Sequence, residues 1–383
     1  MTDEQTIADL RDLFPVVDHW TYLYNGSIHP IARPVAAAMN NVVDECARGG
    51  EDAFHLGYER FVLLKERLAG LLHTTSDNIV ITESTTAGLN LAAQILAPTP
   101  EQNVVLTDLA FMSSTYQWLA SKSAIPDIRF VEQRAGRVAF EDIEATIDTE
   151  TACVSICAVT VGSGFRYDLA RLTNLTQAAA APLVVDAAQA LGVIDVDVGA
   201  TPVDFLAGTT SKWLMGPTGV GYLYVADQHL GATPPTVGWM SAANVDDWDV
   251  RNCELHDNAS RFQGGIPNLV GVAGALAGVD LLNEIGRTFI ERRIRDLTQY
   301  LLDELSRLGL EIWTPLPAAD RAGIVFFRIP NAAEVHLELK AERIYCGTFL
   351  GGIRCDPTFY NTQEELDRFL AVIERSARRA PGT

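Results

Sequence analysis

The fold is decided by residues 183–221: LVVDAAQ at 183–189, GTTSKW at 208–213 and GPTGVG at 216–221. An unbroken apolar run ends in a carboxylate, Asp186. A single lysine, Lys212, follows 26 residues later among hydroxyl side chains. A glycine-rich turn then leads into a second apolar run at 220–225. Continuous apolar runs of this length read as strands buried on both faces, as in a parallel sheet covered by helices. A carboxylate at the end of such a strand stands where open α/β sheets gather ligand-binding groups.

The pattern extends outward from this segment. Helical spacing is present at 61–72 (FVLLKERLAGLL), 87–96, 114–121 and 169–180. Strand-like runs lie at 78–81, 103–106, 153–159 and 182–185. Alternation of this kind predicts βαβ units and a mostly parallel, covered sheet. After about residue 235 the pattern changes. Long helices are predicted at 267–283, 287–308 and 363–378, with short strands at 323–328, 343–346 and 352–354. The expected organisation is a large α/β domain at 31–250 and a smaller α+β domain at 251–383. The segment 1–30 is expected to pack on the smaller one.

Composition narrows the class. Apolar residues make up 48% of the 383 and charged residues 20%, the balance of a folded protein with a large core. The net charge of −20 sets the chain against nucleic acid and anionic membranes as partners, though a site can still be locally positive. The N-terminal MTDEQTIADLRDLF is acidic and lacks the basic start and apolar run of a signal peptide. The longest uncharged stretch, 262–279, is interrupted by Gln263, Pro267 and Asn268, so no membrane span is expected. Six cysteines without a CxxC pair give no zinc or disulfide framework. A cytoplasmic location is the expectation.

A third segment, Thr82-Glu83-Ser84-Thr85-Thr86, joins a strand to a helix and so places amides and hydroxyls at a helix N-terminus, a natural phosphate site. Taken singly, each of these features has an ordinary structural reading. An aspartate after a strand commonly caps a helix, a loop lysine is commonly solvated, and hydroxyl clusters commonly cap. Their succession, phosphate loop then carboxylate then lysine, carries the chemical signal.

In these segments the chain resembles the aminotransferase class V family of fold-type I pyridoxal-5′-phosphate (PLP) enzymes, and the resemblance covers almost the whole length. Further matches are YLYNGS at 22–27, RFQGG at 261–265, and Arg354 followed by FYNT at 359–362. The resemblance implies a seven-stranded sheet in the large domain and PLP as cofactor, with Lys212 as the Schiff-base lysine and proton shuttle. Asp186 would pair with the pyridine nitrogen and Gln189 with the ring hydroxyl. Thr85, Thr86 and Thr209 would hold the phosphate, and Phe111 would stack on the ring. Arg354 would grip the carboxylate of an amino acid substrate, near Tyr24 and Ser27. It also implies a homodimer, with residues 261–268 reaching the second subunit.

Departures from the family pattern narrow the reaction. Cysteine desulfurases carry a histidine over the ring, where this chain has Phe111. Their sulfur-accepting cysteine sits on a long loop well ahead of the arginine. Here Cys346 precedes Arg354 by 8 residues and Cys355 directly follows it, and both read as structural. Tyr24 replaces a common asparagine and Ile266 a common threonine. The pattern is closer to the isopenicillin N epimerase-like and C–S lyase-like members, some of them from actinobacterial secondary metabolism. The expected reaction is β-elimination from a cysteine S-conjugate. Transamination, epimerisation and decarboxylating deamination are the alternatives on the same fold. A catalytically silent binding protein is the non-enzyme alternative, and the intact Asp186 and Lys212 argue against it.

Overall fold

The computed structural model describes residues 3–120 and 127–379. The chain opens with helix α1 (Asp3–Arg11), strand β1 (Thr21–Tyr22) and helices α2 (Arg33–Gly49) and α3 (Glu51–Leu72). An alternating stretch follows: β2 (Ile79–Thr82), α4 (Thr85–Leu96), β3 (Asn103–Thr107), α5 (Tyr116–Ala120), β4 (Asp127–Val131) and α6 (Phe140–Thr146). It continues through β5 (Thr151–Cys157), α7 (Leu169–Ala178), β6 (Leu183–Asp186), β7 (Phe205–Thr209) and β8 (Gly221–Val225). The remainder comprises α8 (Leu269–Ile285), α9 (Arg287–Arg307), β9 (Glu311–Ile312), β10 (Val325–Arg328) and α10 (Ala332–Ala341). Strands β11 (Ile344–Tyr345), β12 (Gly347–Phe349) and β13 (Gly352–Cys355) and helix α11 (Gln363–Arg379) complete it. The helix expected at 114–121 begins as a 3-10 turn at Met112–Ser114, and its last residue, Ser121, lies outside the described residues.

Seven strands form one sheet in the order β2-β8-β7-β6-β5-β3-β4. Neighbours from β7 through β4 pair in parallel, and β8 runs antiparallel to both β7 and β2. Successive side chains leave a strand on opposite faces, so two cores form. Val105, Ile156, Val185 and Leu206 join one cluster with Leu64, Leu68 and Val272. Val104, Leu106, Val184 and Phe205 join the other with Leu89 and Trp118. Burial on both faces is why these strands read as apolar runs without alternation.

The antiparallel β8 brings separate segments to one edge. Thr82, at the end of β2, lies opposite Gly221, which in turn lies opposite Thr209, at the end of β7. Asp186 ends the adjoining β6.

A second sheet, β12-β13-β10-β9, is antiparallel and has its own core of Leu301, Leu305, Val325, Phe327, Ile353 and Phe369. The N-terminal segment is tied to this body. Thr21 in β1 pairs with Ile344 in β11, Leu23 is buried in its core, and Arg11 bonds Glu365 at 3.0 Å. Among the described residues, no single helix is long and apolar enough to cross a membrane.

The sequence placed α8 in the small domain. In the structure α8 packs on α2 and α3, and its Val272, Ala275 and Val279 share a core cluster with Val105, Ile156 and Val185. Its small residues are what allow this. A Cβ on Gly278 would lie 2.5 Å from the Leu214 carbonyl and 3.0 Å from the Gly216 amide, so the helix braces the turn that follows Lys212. Gly278→Ala must move that backbone, and overpacking of this kind costs about 1–3 kcal/mol. Urea unfolding is expected to show a lower midpoint with an unchanged slope.

Candidate active site

The site lies at the carboxyl edge of the large sheet, where strand ends leave backbone groups free to meet a ligand. Asp186 is 4% exposed. Its carboxylate accepts from the Ser114 hydroxyl at 2.8 Å and from the Ala188 amide at 2.9 Å. Both donors are neutral, and a carboxylate offers about four lone-pair directions, so acceptor capacity remains for a further partner.

Lys212 sits in the turn after β7, partly buried. The turn is fixed by its own backbone: Met215 N donates to Lys212 O at 2.9 Å, and Gly216 N to Thr210 O at 2.8 Å. The lysine Nζ stands 5.8 Å from the centroid of the Phe111 ring. Burial pushes the ammonium's pKa below the usual lysine value; Asp186 opposes that shift and Arg354 adds to it. A lysine that gives up its proton more readily is a better imine-forming nucleophile. Phe111 is 39% exposed, so its ring lines an opening instead of filling the core.

Hydroxyls gather at one end of this edge. Ser84 caps α4 by accepting from Ala87 N at 3.1 Å. Thr85 is buried in the first turn, and the Thr86 hydroxyl lies 2.8 Å from that of Ser113. The Thr209 hydroxyl is 3.1 Å from that of Ser211. A capped helix N-terminus flanked by hydroxyls suits an anion.

The remaining expected residues cluster where the N-terminal segment passes the two bodies. Gln189, 4% exposed, donates from Nε2 to Gly26 O at 2.7 Å and accepts from Trp213 Nε1 at 2.8 Å. It thereby ties residues 24–27 to the Lys212 turn, and its second amide hydrogen stays available. Arg354, 2% exposed, ends up in an ion pair with Asp356: Nε to Oδ1 is 2.9 Å and Nη2 to Oδ2 is 2.6 Å. Its guanidinium carbon is 5.2 Å from the Tyr24 ring centroid, and the Ser27 amide donates to the Tyr24 carbonyl at 3.1 Å. Gly26 is required here, because a Cβ would lie 2.5 Å from Arg354 Nη2 and 2.9 Å from Gln189 Oε1.

All the residues picked out in the sequence thus fall at this edge or at its junction with the small body. Three others were missed. Ser114 left no signal, since a serine three residues beyond Phe111 has no reason to face Asp186 until the chain folds. Trp213 was visible beside Lys212, but its indole partner was not. Asp356 stands two residues after Arg354, and that spacing in an extended segment was the only available hint.

A strand-end carboxylate, a lysine of lowered pKa and a hydroxyl-lined helix N-terminus on this sheet are the framework of a fold-type I PLP enzyme. The chain belongs to the aminotransferase class V family, whose profile matches residues 40–369. It is 28% identical over 361 residues to an uncharacterized aminotransferase, YcbU, of Bacillus subtilis, covering 93% of this chain and 94% of that one. It is 27% identical to a probable cysteine desulfurase of Methanothermobacter thermautotrophicus, covering 96% and 98%. A kynureninase of Bacillus mycoides is 26% identical, covering 96% and 91%. The solved apo cysteine desulfurase of Thermococcus onnurineus superposes with a TM-score of 0.87 at 25% identity, covering 97% and 98%. These relatives establish a PLP-dependent enzyme while spanning several reactions.

The Gln189–Trp213 contact can be tested apart from chemistry. Trp213→Phe leaves a buried acceptor unpaired, which costs about 1–3 kcal/mol of stability. In a denaturation double-mutant cycle, adding Gln189→Leu is expected to cost less than it does alone, a nonzero coupling that purely additive effects would lack.

Proposed function

We propose that this enzyme is a PLP-dependent C–S lyase that eliminates the sulfur substituent from an S-substituted cysteine. The observation that carries this reading is the state of the two cysteines flanking Arg354. Cys346 and Cys355 are 1% and 0% exposed, and burial pushes the Cys346 thiol up to about 12 and that of Cys355 well above the usual value. A desulfurase needs a reactive thiolate to take the sulfur, and thiolates form where the pKa is lowered and access is open. Neither condition holds beside Arg354, so the sulfur is read as leaving with its own substituent.

The side chains fit the cofactor. Asp186 has spare acceptor capacity for the protonated pyridine nitrogen, and Gln189 a spare hydrogen for the ring hydroxyl. Thr85, Thr86 and Thr209 would hold the phosphate, and Phe111 would pack on the ring. When bound, PLP supplies an electron sink that lets a bond at the substrate's α-carbon break heterolytically. Lys212 would hold the cofactor through its amine and, once freed of it, would take the proton from the substrate's α-carbon. Arg354 orients the substrate by its carboxylate, as only a planar forked cation does well, with Tyr24 and Ser27 beside it. Departure of the thiolate, its protonation, and hydrolysis of the remaining three-carbon unit give a thiol, pyruvate and ammonia.

A homodimer is part of the proposal. Gln263 bonds Ile81 within its own chain at 3.1 Å, while Ile266 is 37% exposed and free to face a second subunit.

Incubated with S-methyl-L-cysteine, the holoenzyme is expected to release methanethiol and pyruvate in equal amounts without a keto-acid acceptor. Amino-group transfer to an added keto acid with no thiol release would overturn the reading. Lys212→Ala is expected to lose the visible absorbance of the bound cofactor and to slow turnover by about 10²–10⁴-fold while keeping its fold by circular dichroism.

A further inference from the structure

Asp356 was given no role by the sequence, yet it is the most enclosed charged group of the site, 0% exposed in the segment leaving β13. It occupies the guanidinium that the substrate is expected to use. One leg of the pair is a formed hydrogen bond, Arg354 Nε to Oδ1 at 2.9 Å. The other brings Nη2 within 2.6 Å of Oδ2 off the hydrogen-bond direction, leaving both atoms buried without a well-formed partner. Buried polar atoms are ordinarily satisfied, so an incompletely made pair at the substrate corner points to a group that arrives later. The backbone of Gly26 closes the corner: a Cβ there would lie 2.5 Å from Arg354 Nη2 and 2.8 Å from Asp356 Oδ2.

We propose that Asp356 is an internal competitor for the substrate carboxylate, so that a carboxylate binds Arg354 only with uptake of one proton by the Arg354–Asp356 pair. The proposal rests on the reading of Arg354 as the carboxylate site and specifies what that site admits.

The resting pair is neutral. An arriving carboxylate places two anions on one guanidinium in a closed space, and like charges at that range raise each other's affinity for a proton. The groups facing Asp356 do not supply a second cation at the pair. Arg354 is already engaged, and Lys212 acts on it only as a neighbouring charge. Tyr22, Tyr24, Cys346 and Cys355 interact with it as hydroxyls and thiols whose own pKa values burial pushes upward, so they stay uncharged near neutrality. Burial already lifts Asp356 above the ordinary carboxylate range, against the pull of Arg354 and of the Gly26 amide. The proton comes from solvent and stays on the Asp356 carboxyl, while the ligand's carboxylate takes over the guanidinium. Asp356 is thus a specificity-determining residue that penalises anionic ligands increasingly as pH rises. A ligand without a carboxylate escapes the penalty.

The test uses holoenzyme and 3-(methylthio)propanoate, which has the carboxylate and thioether of S-methylcysteine but no amino group to react. Calorimetry in buffers of different ionisation enthalpy counts the protons. Wild type is expected to take up about one proton per ligand, with affinity falling by up to ~10-fold per pH unit through neutrality. Asp356→Asn is expected to lose the proton uptake and the slope and to bind about 10-fold tighter or more at the alkaline end. Asp356→Ser serves if the amide packs poorly, and the wild-type proton count needs no variant. Pair-independent binding, with no proton uptake in wild type or an unchanged slope in Asp356→Asn, would overturn the proposal. Absence of binding in wild type and both variants would overturn it together with the role given to Arg354. The thiol-and-pyruvate assay is separate: it can fail while the proton linkage holds, which would leave Arg354 and Asp356 as described and change only the bond that is broken.

Discussion

The site is organised around a carboxylate buried at the end of an apolar strand. Asp186 is nearly enclosed, and its direct partners are a hydroxyl and an amide. Burying an ionisable group is costly unless donors surround it, and a full positive partner would consume the charge the site needs. The fold meets both conditions. The βαβ alternation sets Asp186 at the sheet edge, the turn after Phe111 swings Ser114 onto it, and Lys212 comes near without pairing. The lowered pKa of Lys212 follows from its own burial, which outweighs the opposing charge of Asp186.

A second constraint joins the two bodies. Residues 22–27 run beside the end of β13, where Asp356 N donates to Leu23 O at 2.7 Å and Asn25 Nδ2 to Asp356 O at 2.8 Å. Gly26 touches Gln189 of the large body and Arg354 of the small one, so one residue without a side chain sets the spacing between the cofactor end and the substrate end. Movement of the small body against the large one would change that spacing directly.

Most of the architecture was legible because strands buried on both faces announce themselves as apolar runs. β5, β6 and β8 were read in this way. β7 was not: its sequence, Phe205–Thr209, is short and ends in Gly208-Thr209, so it looks like the start of the lysine loop. The packing of α8 was not legible because its small residues suit either an exposed contact helix or an internal one, and only the approach of Gly278 to the Leu214 carbonyl decides between them. Within the site, residues at fixed offsets from the strand ends could be found from sequence. Ser114, Trp213 and Asp356 could not, because their partners are supplied by segments 72, 24 and 2 residues away whose orientation depends on the finished fold.

The central claim is that Lys212, placed by this edge, carries the cofactor. Borohydride reduction of the holoenzyme followed by peptide mass mapping tests it most directly. The account predicts a phosphopyridoxyl adduct on the peptide containing Lys212, in an amount matching the bound cofactor. An adduct confined to another lysine, such as Lys65 or Lys340, or none in cofactor-loaded protein, would contradict it.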